Sequence, residues 1–348
     1  MDEDAKIVLI THLGRPKGRD PKLKLDSVAK RLSTLLSCNV KKLDDCIGDD
    51  VKKEISVMLQ KEIILLENLR FHDEEDSKDE KERDEFGKKL ADLADIYVDE
   101  AFANVHRNHA SMTSIPKFIP SCAGLGLEIE LYHLLGSMNS PKRPFIALFG
   151  GVKVEKIQAA KSLLDRVDKL VPCGVVLNSL LKAKGVNIQK SLIDKESFEI
   201  AKSMVNSEKI IWPIDVLIAD KFSNMAAKKV QYCDNIDNDW MILGVGPLTI
   251  QKYKDELKNA GTIVWSGTID VFEFENFNTG SKEIAHFIAG LNCIKIIGGG
   301  DSAAIIDSLG LEGHMTYVST GGGASLAVFQ QEELPAIKAL EENAKRFS

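Results

Sequence analysis

The stretch Ile296-Ile297-Gly298-Gly299-Gly300-Asp301-Ser302-Ala303-Ala304 decides how this chain is read. A mostly apolar run from Ile294 to Ile297 ends in three glycines; an acidic residue, a hydroxyl and two alanines follow before Ile305 and Ile306. That order describes a buried strand turning directly into a helix, through a turn without side chains. Glycine there lets a bulky ligand touch the peptide N–H groups, and the positive end of a helix with free N–H groups favours phosphate. Asp301 would repel a bare phosphate, so it makes more sense facing a magnesium ion on that phosphate. One such turn is equally a ligand-free connection in an α/β protein. A second, Tyr317-Val318-Ser319-Thr320-Gly321-Gly322-Gly323-Ala324-Ser325-Leu326, repeats strand, hydroxyl pair, three glycines and helix start. Neither turn carries the Walker ending or the dinucleotide G-x-G-x-x-G, so phosphate is expected on two loops of a less common kind.

The rest of the composition narrows the class. At 348 residues the chain is too long for one small core and suits two domains. A net charge of −7 argues against a general nucleic-acid or membrane-surface binder. No apolar run approaches bilayer length, and the acidic start Met1 to Lys6 is unlike a signal peptide, so a cytoplasmic protein is expected. Six scattered cysteines with no C-x-x-C pair suggest buried, reduced thiols rather than a disulfide framework or a zinc site.

Strand-like and helical runs alternate along the chain. Short strands are predicted at Lys6 to Ile10, Ile63 to Leu66 and Ile96 to Val98, and the charged run Asp73 to Arg83 reads as a solvated loop and helix start. Leu131, Leu134, Leu135 and Met138 have amphipathic helical spacing, and Ser140 to Pro144 stops that helix, as at a hinge. Beyond it, strands are predicted at 145–149, 169–171, 210–212, 240–243, 262–265, 294–297 and 315–318. Such alternation implies parallel sheets covered on both faces.

Ligands of open parallel sheets collect at the carboxyl ends of strands. In the first half those ends carry His12, Arg15, Lys17, Arg70, His106, Arg107 and His109, a dense cationic set in an acidic protein. Arginine's planar fork suits carboxylate and phosphate oxygens. Each arginine could instead pair with a neighbouring carboxylate such as Glu67 or Asp99, but three strand ends sharing the pattern favour a small polyanion. In the second half, Phe145 to Phe149 runs into Gly150-Gly151-Val152-Lys153-Val154-Glu155-Lys156, glycines followed by spaced lysines at a helix start, which suits a phosphoryl group in flight. That division points to a kinase for a small acid.

Taken together the segments resemble the phosphoglycerate kinase family: Thr11 to Gly18, Leu66 to Phe71, Asp99 to Ser111, Pro144 to Ile157, Gly246 to Ile250, Thr262 to Trp265, Val271 to Glu275, Gly298 to Ala304 and Ser319 to Leu326. The resemblance implies two doubly wound parallel-sheet domains. The divisions would be a phosphoglycerate-binding domain at 1–126, incomplete at its N-terminus, and a hinge helix and linker at 127–143. A nucleotide-binding domain would follow at 144–326, with a segment at 327–348 packing back on the first. His12, Arg15, Arg70 and Arg107 resemble the basic patch for 3-phosphoglycerate. Lys153 resembles the lysine that follows the transferred group, with Gly299 and Gly322 at the helix starts beside it. Gly151, Lys156, Gly174, Glu273, Gly298, Gly299, Gly300, Asp301 and Ser302 resemble nucleotide-binding positions, with Glu273 on ribose, Ser302 on phosphate and Asp301 on Mg2+. The implied reaction is in-line transfer between 1,3-bisphosphoglycerate with MgADP and 3-phosphoglycerate with MgATP, by a monomer with no nucleic-acid or membrane partner.

Several positions depart from the family pattern. The chain begins at what resembles the family's third strand, so an unpaired sheet edge and impaired turnover are expected. The lysine turn is one residue short, and one residue is ~100° of helix, so Lys156 is expected to point away unless the turn absorbs the change. Ser266 to Asp270 replaces Asn-Gly-Pro-x-Gly, which is expected to put a carboxylate near the nucleotide. Pro172-Cys173-Gly174-Val175 replaces a Gly-Gly-Gly turn. The alternative reading is a catalytically inactive relative that binds nucleotide or sugar phosphate, or that serves as a protein partner. A nicotinamide dehydrogenase is disfavoured by the missing G-x-G-x-x-G.

Overall fold

The structure, a computed structural model, describes residues 4–347. Met1 to Glu3, half of the acidic start discussed above, and Ser348 lie outside the described residues. Two compact units divide the chain: unit 1 is Met1–Leu125 with Leu334–Ser348, and unit 2 is Gly126–Glu333.

Unit 1 opens with β1 (Ile7–Leu9), α1 (Asp26–Leu36), β2 (Val40–Lys42), α2 (Asp49–Ser56) and β3 (Ile63–Leu65). The three strands form a parallel sheet in the order β1-β3-β2, with Ile7 opposite Ile63 and Val40 on the other side of Ile63. The helix α3 (Glu80–Ala91) follows, capped by Asp79, whose carboxylate accepts from Lys81 N at 2.9 Å. β4 (Tyr97–Asp99) and β5 (Ser121–Ala123) make a separate parallel pair. One edge of β1 is therefore unpaired among the described residues. The core under β3 and α3 is made by residues such as Ile64, Leu66, Phe86 and Leu90.

The helix α4 (Leu125–Asn139) buries Leu134 and Met138 of the predicted stripe and Leu127 besides, while Leu131 and Leu135 are only half-buried. Unit 2 then runs β6 (Phe145–Phe149), α5 (Val154–Leu164), β7 (Lys169–Pro172), α6 (Gly174–Ala183), α7 (Lys195–Met204), β8 (Asp215–Ala219), β9 (Lys228–Tyr232), β10 (Met241–Val245), α8 (Pro247–Leu257), β11 (Thr262–Ser266), α9 (Thr279–Ala289), β12 (Ile294–Gly298), α10 (Gly300–Ser308), β13 (Tyr317–Ser319) and α11 (Gly323–Gln330). Five parallel strands in the order β13-β12-β11-β6-β7 form its main sheet. Every residue of β6 and β11 is buried, which a sheet covered by helices on both faces requires. Trp265 lies wholly inside and donates from Nε1 to Gly267 O at 2.7 Å, so its one polar atom is satisfied.

Parallel sheets throughout is a reading the structure corrects. β8, β9 and β10 form an antiparallel sheet in the order β10-β8-β9. The predicted strand at 210–212 is only an isolated bridge from Ile210 to Leu170. β9, Lys-Lys-Val-Gln-Tyr, escapes an apolar-run reading because it is a polar edge strand with alternate residues exposed. β8 begins with buried Asp215, whose carboxylate accepts from Leu248 N and Thr249 N and so caps α8. Last in the chain, α12 (Pro335–Phe347) belongs to unit 1. Buried Asn343 fastens it: Oδ1 accepts from Ser121 N, and Nδ2 donates to Pro116 O and Ile119 O. No helix of the described residues is long and apolar enough to cross a membrane.

Candidate active site

In unit 1 the loop after β1 and the short helical turn after β3 are tied by one side chain. Asn68 is fully buried; its Oδ1 accepts from Leu13 N (3.1 Å) and Arg70 N (3.2 Å), and its Nδ2 donates to Leu13 O (2.8 Å) and Leu23 O (3.0 Å). Arg70 Nη1 in turn donates to Gly14 O at 2.7 Å. Arg15 and Arg70 are thereby fixed beside each other. Both line a ≈ 290 Å³ cavity with Arg107, His109, Asp73 and Asp76. Among the described residues none of the three arginines forms an ion pair with a carboxylate; Glu67 is taken by Lys42 at 2.6 Å, and Asp99 accepts from Ala101 N at 2.8 Å. The pairing that the bland reading required is absent.

The histidines are not the cations the sequence suggested. Burial first, then the charges of Arg70 and Arg107, push His12 down to about 4 against the pull of Asp76. The same causes, with His12 added, bring His109 to about 4, and the two rings meet edge to face at 6.1 Å. Both are neutral near pH 7, so they serve as hydrogen-bonding groups inside an arginine cluster. The cluster also repels itself: burial, Arg70 and Arg15 lower Arg107. Lys17 is exposed and does not line this cavity.

One residue here was missed. Glu75, read as part of a solvated acidic run, is buried with no exposed surface. It accepts from Ser111 N (3.0 Å) and Ser111 Oγ (2.6 Å), and its Oε1 lies 3.7 Å from His109 Nδ1. Burial pushes its carboxyl up to about 7. Its neighbours Asp73, Glu74 and Asp76 hide it from a charge-pattern reading; only Phe71, buried on the preceding short turn, hints that this segment faces inward.

In unit 2 the carboxyl ends of the parallel strands bring together the predicted glycine turns. β6 ends at Gly150-Gly151, β7 at Cys173-Gly174, β11 at Ser266-Gly267, β12 at Gly298-Gly299 and β13 at Ser319 ahead of Gly322. Gly267, at φ +89°, could carry no side chain, since a Cβ would overlap the Gly150 carbonyl. β12 and β13 pair directly, with Gly298 opposite Ser319, so α10 and α11 start side by side. Gly299 N donates to Ser319 O at 3.1 Å, and Gly321 N donates to Ser319 Oγ at 3.1 Å. A cavity of ≈ 580 Å³ opens beside this edge, and Gly151, Lys153, Gly174, Asp270, Glu273 and Asp301 are among its lining.

The lysine turn absorbs its missing residue. Lys153 is the exposed N-cap residue of α5, and Lys156 folds inward, 7 % exposed, with Nζ donating to Ser266 Oγ at 2.7 Å. Burial lowers Lys156 to about 8, and Lys153 adds to that while Asp301 opposes it. The expectation that Lys156 points away is therefore corrected. Asp270 is likewise not an open charge: buried, it accepts from Ser281 N at 3.1 Å and from Ser281 Oγ, capping α9. Burial raises it to about 6. Ser302 is buried with its hydroxyl against Gly298 O and Gly299 O, both at 3.1 Å, and Asp301 stands exposed in the first turn of α10. Cys173 is buried and its thiol is pushed up by burial.

A third cluster is structural. Asp45, Cys46 and His72 lie close enough to hold a metal, but Asp45 already accepts from Arg19, His72 and Cys46 N. The Cys46 thiol donates to Glu67 O at 2.8 Å, and burial raises its pKa. All six cysteines are free.

Comparison with known proteins finds one family along nearly the whole chain. The profile of the family described as Phosphoglycerate kinase matches residues 1–332. A protein named phosphoglycerate kinase from Dictyoglomus turgidum is 42% identical over 349 residues, which cover 98% of this chain and 87% of that protein. The solved structure of phosphoglycerate kinase from Pyrococcus horikoshii OT3 superposes with a TM-score of 0.86 at 31% identity, covering 99% of this chain and 88% of the other. That from Coxiella burnetii gives 0.83 at 35% identity, covering 98% and 87%. The family profile, the relatives and the superposed structures agree: this chain belongs to the phosphoglycerate kinase family.

Proposed function

We propose that the chain transfers a phosphoryl group between 1,3-bisphosphoglycerate with MgADP and 3-phosphoglycerate with MgATP, the glycolytic reaction of its relatives. The observation that carries this reading is the convergence of Arg15, Arg70 and Arg107, without carboxylate partners, on one small polar cavity. Three guanidinium groups held that close repel each other, and an anion carrying phosphate and carboxylate offsets that repulsion. Neutral His12 and His109 add hydrogen bonds without adding charge.

In unit 2, Lys153 at the exposed start of α5 accompanies the phosphoryl group as a mobile point charge. The N–H groups at Gly300 and Gly322 face developing negative charge, Gly298 and Gly299 form the side-chain-free turn ahead of α10, and Lys156 compensates the charge. Gly151 and Gly174 leave room for the nucleotide, with Glu273 on the ribose, and Ser302 braces the start of α10. Positioning and charge compensation suffice for in-line transfer, so no covalent enzyme intermediate is needed.

The residues present fit Mg2+. Asp301 is exposed and forms no ion pair among the described residues, and a lone carboxylate beside phosphate oxygens suits an ion that keeps several waters. When bound, Mg2+ neutralises phosphate charge. We also assign the hinge to residues 127–143, a monomeric state and a cytoplasmic location. The test is a coupled assay of the purified chain. Turnover that needs both MgATP and 3-phosphoglycerate supports the reading; ATP hydrolysis independent of 3-phosphoglycerate, or no turnover, contradicts it.

A further inference from the structure

Lys156 and Lys295 are the buried lysines of unit 2 among the described residues, and their surroundings differ. Lys295 Nζ is held by two backbone carbonyls, Leu291 O at 2.8 Å and Ala289 O at 3.3 Å. Lys156 Nζ donates to one protein atom, Ser266 Oγ. An ammonium has three N–H donors, so two remain without a protein acceptor. A buried charge so poorly satisfied costs stability unless something else meets it.

The hydroxyl that holds it is itself directed. Ser266 is fully buried, and its Oγ donates its single proton to Gly298 O at 2.6 Å. The oxygen lone pairs are thus left for the ammonium, and the chain Nζ to Oγ to carbonyl has one polarity. Gly298 precedes the turn into α10, so the tether fixes the ammonium to the backbone of that turn.

The free side of the ammonium has a definite outlook. A Cβ built at Gly299 would sit 3.3 Å from Lys156 Nζ and 3.5 Å from Ser266 Oγ. Outside the adjoining residues, no other heavy atom comes within 4 Å of that position. On the opposite flank the aliphatic stem of Lys156 packs under Gly151, whose Cβ would lie 3.5 Å from Lys156 Cγ. The ammonium therefore sits directly behind the side-chain-free Gly299, while its stem packs beside Gly151.

We propose that Ser266 is a positioning residue, which holds the Lys156 ammonium behind Gly299 so that its two free donors meet a nucleotide phosphate at the start of α10. This rests on the nucleotide reading above. Without the hydroxyl the ammonium loses its one acceptor among the described residues and swings away from Gly299, while the hollow for the base and sugar is untouched. Burial lowers the pKa of Lys156 in spite of Asp301 and Glu155, which fits a charge only partly compensated until a ligand adds to them.

The experiment compares the unaltered chain with Ser266→Ala, with the near-isosteric Ser266→Cys, with Lys156→Met and with the Ser266→Ala/Lys156→Met double variant. Calorimetry measures binding of MgADP and of adenosine, which has no phosphate. In parallel, pulse acetylation with mass spectrometry reports Lys156 reactivity, with Lys295 as internal reference. The expected results are an MgADP affinity about tenfold weaker in Ser266→Ala, adenosine affinity within about twofold, and no further loss in the double variant beyond Lys156→Met. Lys156 labels faster in Ser266→Ala and Ser266→Cys while Lys295 does not change. Unchanged MgADP affinity, an equal loss of adenosine, additive effects, or Lys156 labelling that tracks Lys295 would each overturn the proposal. If the unaltered chain binds neither MgADP nor adenosine, the nucleotide reading itself falls and takes the phosphate contact with it. The labelling ratio still accepts or rejects the tether.

Discussion

Replacing Glu75 by glutamine tests whether a buried carboxylate underlies the arginine cavity. Glu75 has no exposed surface, and burial pushes its carboxyl from the ordinary 4.5 up to about 7, against the opposing pull of the Ser111 hydrogen bonds and Arg70. The folded state thus holds this proton more tightly than the unfolded chain. The stability it confers is fully present below about 4.5 and is lost as pH rises through about 7. The separation corresponds to about 3 kcal/mol, at ~1.4 kcal/mol for each tenfold change in proton affinity. Glutamine cannot ionise, so its cost is constant with pH: about 1 kcal/mol for an amide facing one of the two Ser111 donors. Urea unfolding at pH 5 and at pH 8 reads the difference between the two proteins. Asp99 and Asp270, also raised by burial to about 6, are present in both and cancel. The variant should gain about 3 kcal/mol relative to the unaltered chain between those pH values. Parallel pH profiles would refute the reasoning.

Four further outcomes follow from the geometry. Arg70→Ala should raise the apparent Kd for 3-phosphoglycerate about 10- to 100-fold in calorimetry and leave that for MgADP unchanged, since Arg70 and its partner Gly14 lie in unit 1. Asn68→Ala removes four hydrogen bonds, three of which join the two arginine loops, so urea unfolding should show a loss of about 2–4 kcal/mol together with weaker 3-phosphoglycerate binding. Gly299→Ala puts a Cβ at φ +103° and 3.3 Å from Lys156 Nζ, so stability should fall by about 1–3 kcal/mol and MgADP affinity by more than adenosine affinity. NMR titration should place His12 and His109 midpoints near 4, and values near 6.5 would show that neither the burial nor the arginine charges act as described.

What could be read from the sequence was what local pattern encodes. β6, β11 and β12 are short apolar runs ending in glycine, so both the strand and the turn behind it announce themselves. Arg15 and Arg70 were legible because each follows a strand of one parallel sheet, which places them on one edge; Arg107 also follows a strand, but that of the separate β4–β5 pair. Contacts across the chain were not legible. No spacing rule pairs Lys156 with Ser266, and the inward fold of Lys156 depends on how the β6 turn meets the end of β11. Asp270, expected near the nucleotide, and Asp215, which no pattern singles out, show their capping roles only once the helix each one caps is seen beside it. Glu75 and the depressed histidines belong to the same class, since their protonation is set by burial and by arginines distant in sequence. The antiparallel sheet was hidden because β9 carries no apolar run.

The central claim is that a phosphoryl group passes directly between nucleotide and phosphoglycerate. Incubating the chain with γ-32P-labelled MgATP and 3-phosphoglycerate, and trapping acyl phosphate with hydroxylamine, measures that passage. The account predicts label on the carboxyl group of 3-phosphoglycerate and none covalently on the protein. Label released only as inorganic phosphate, or retained on a side chain, would contradict it.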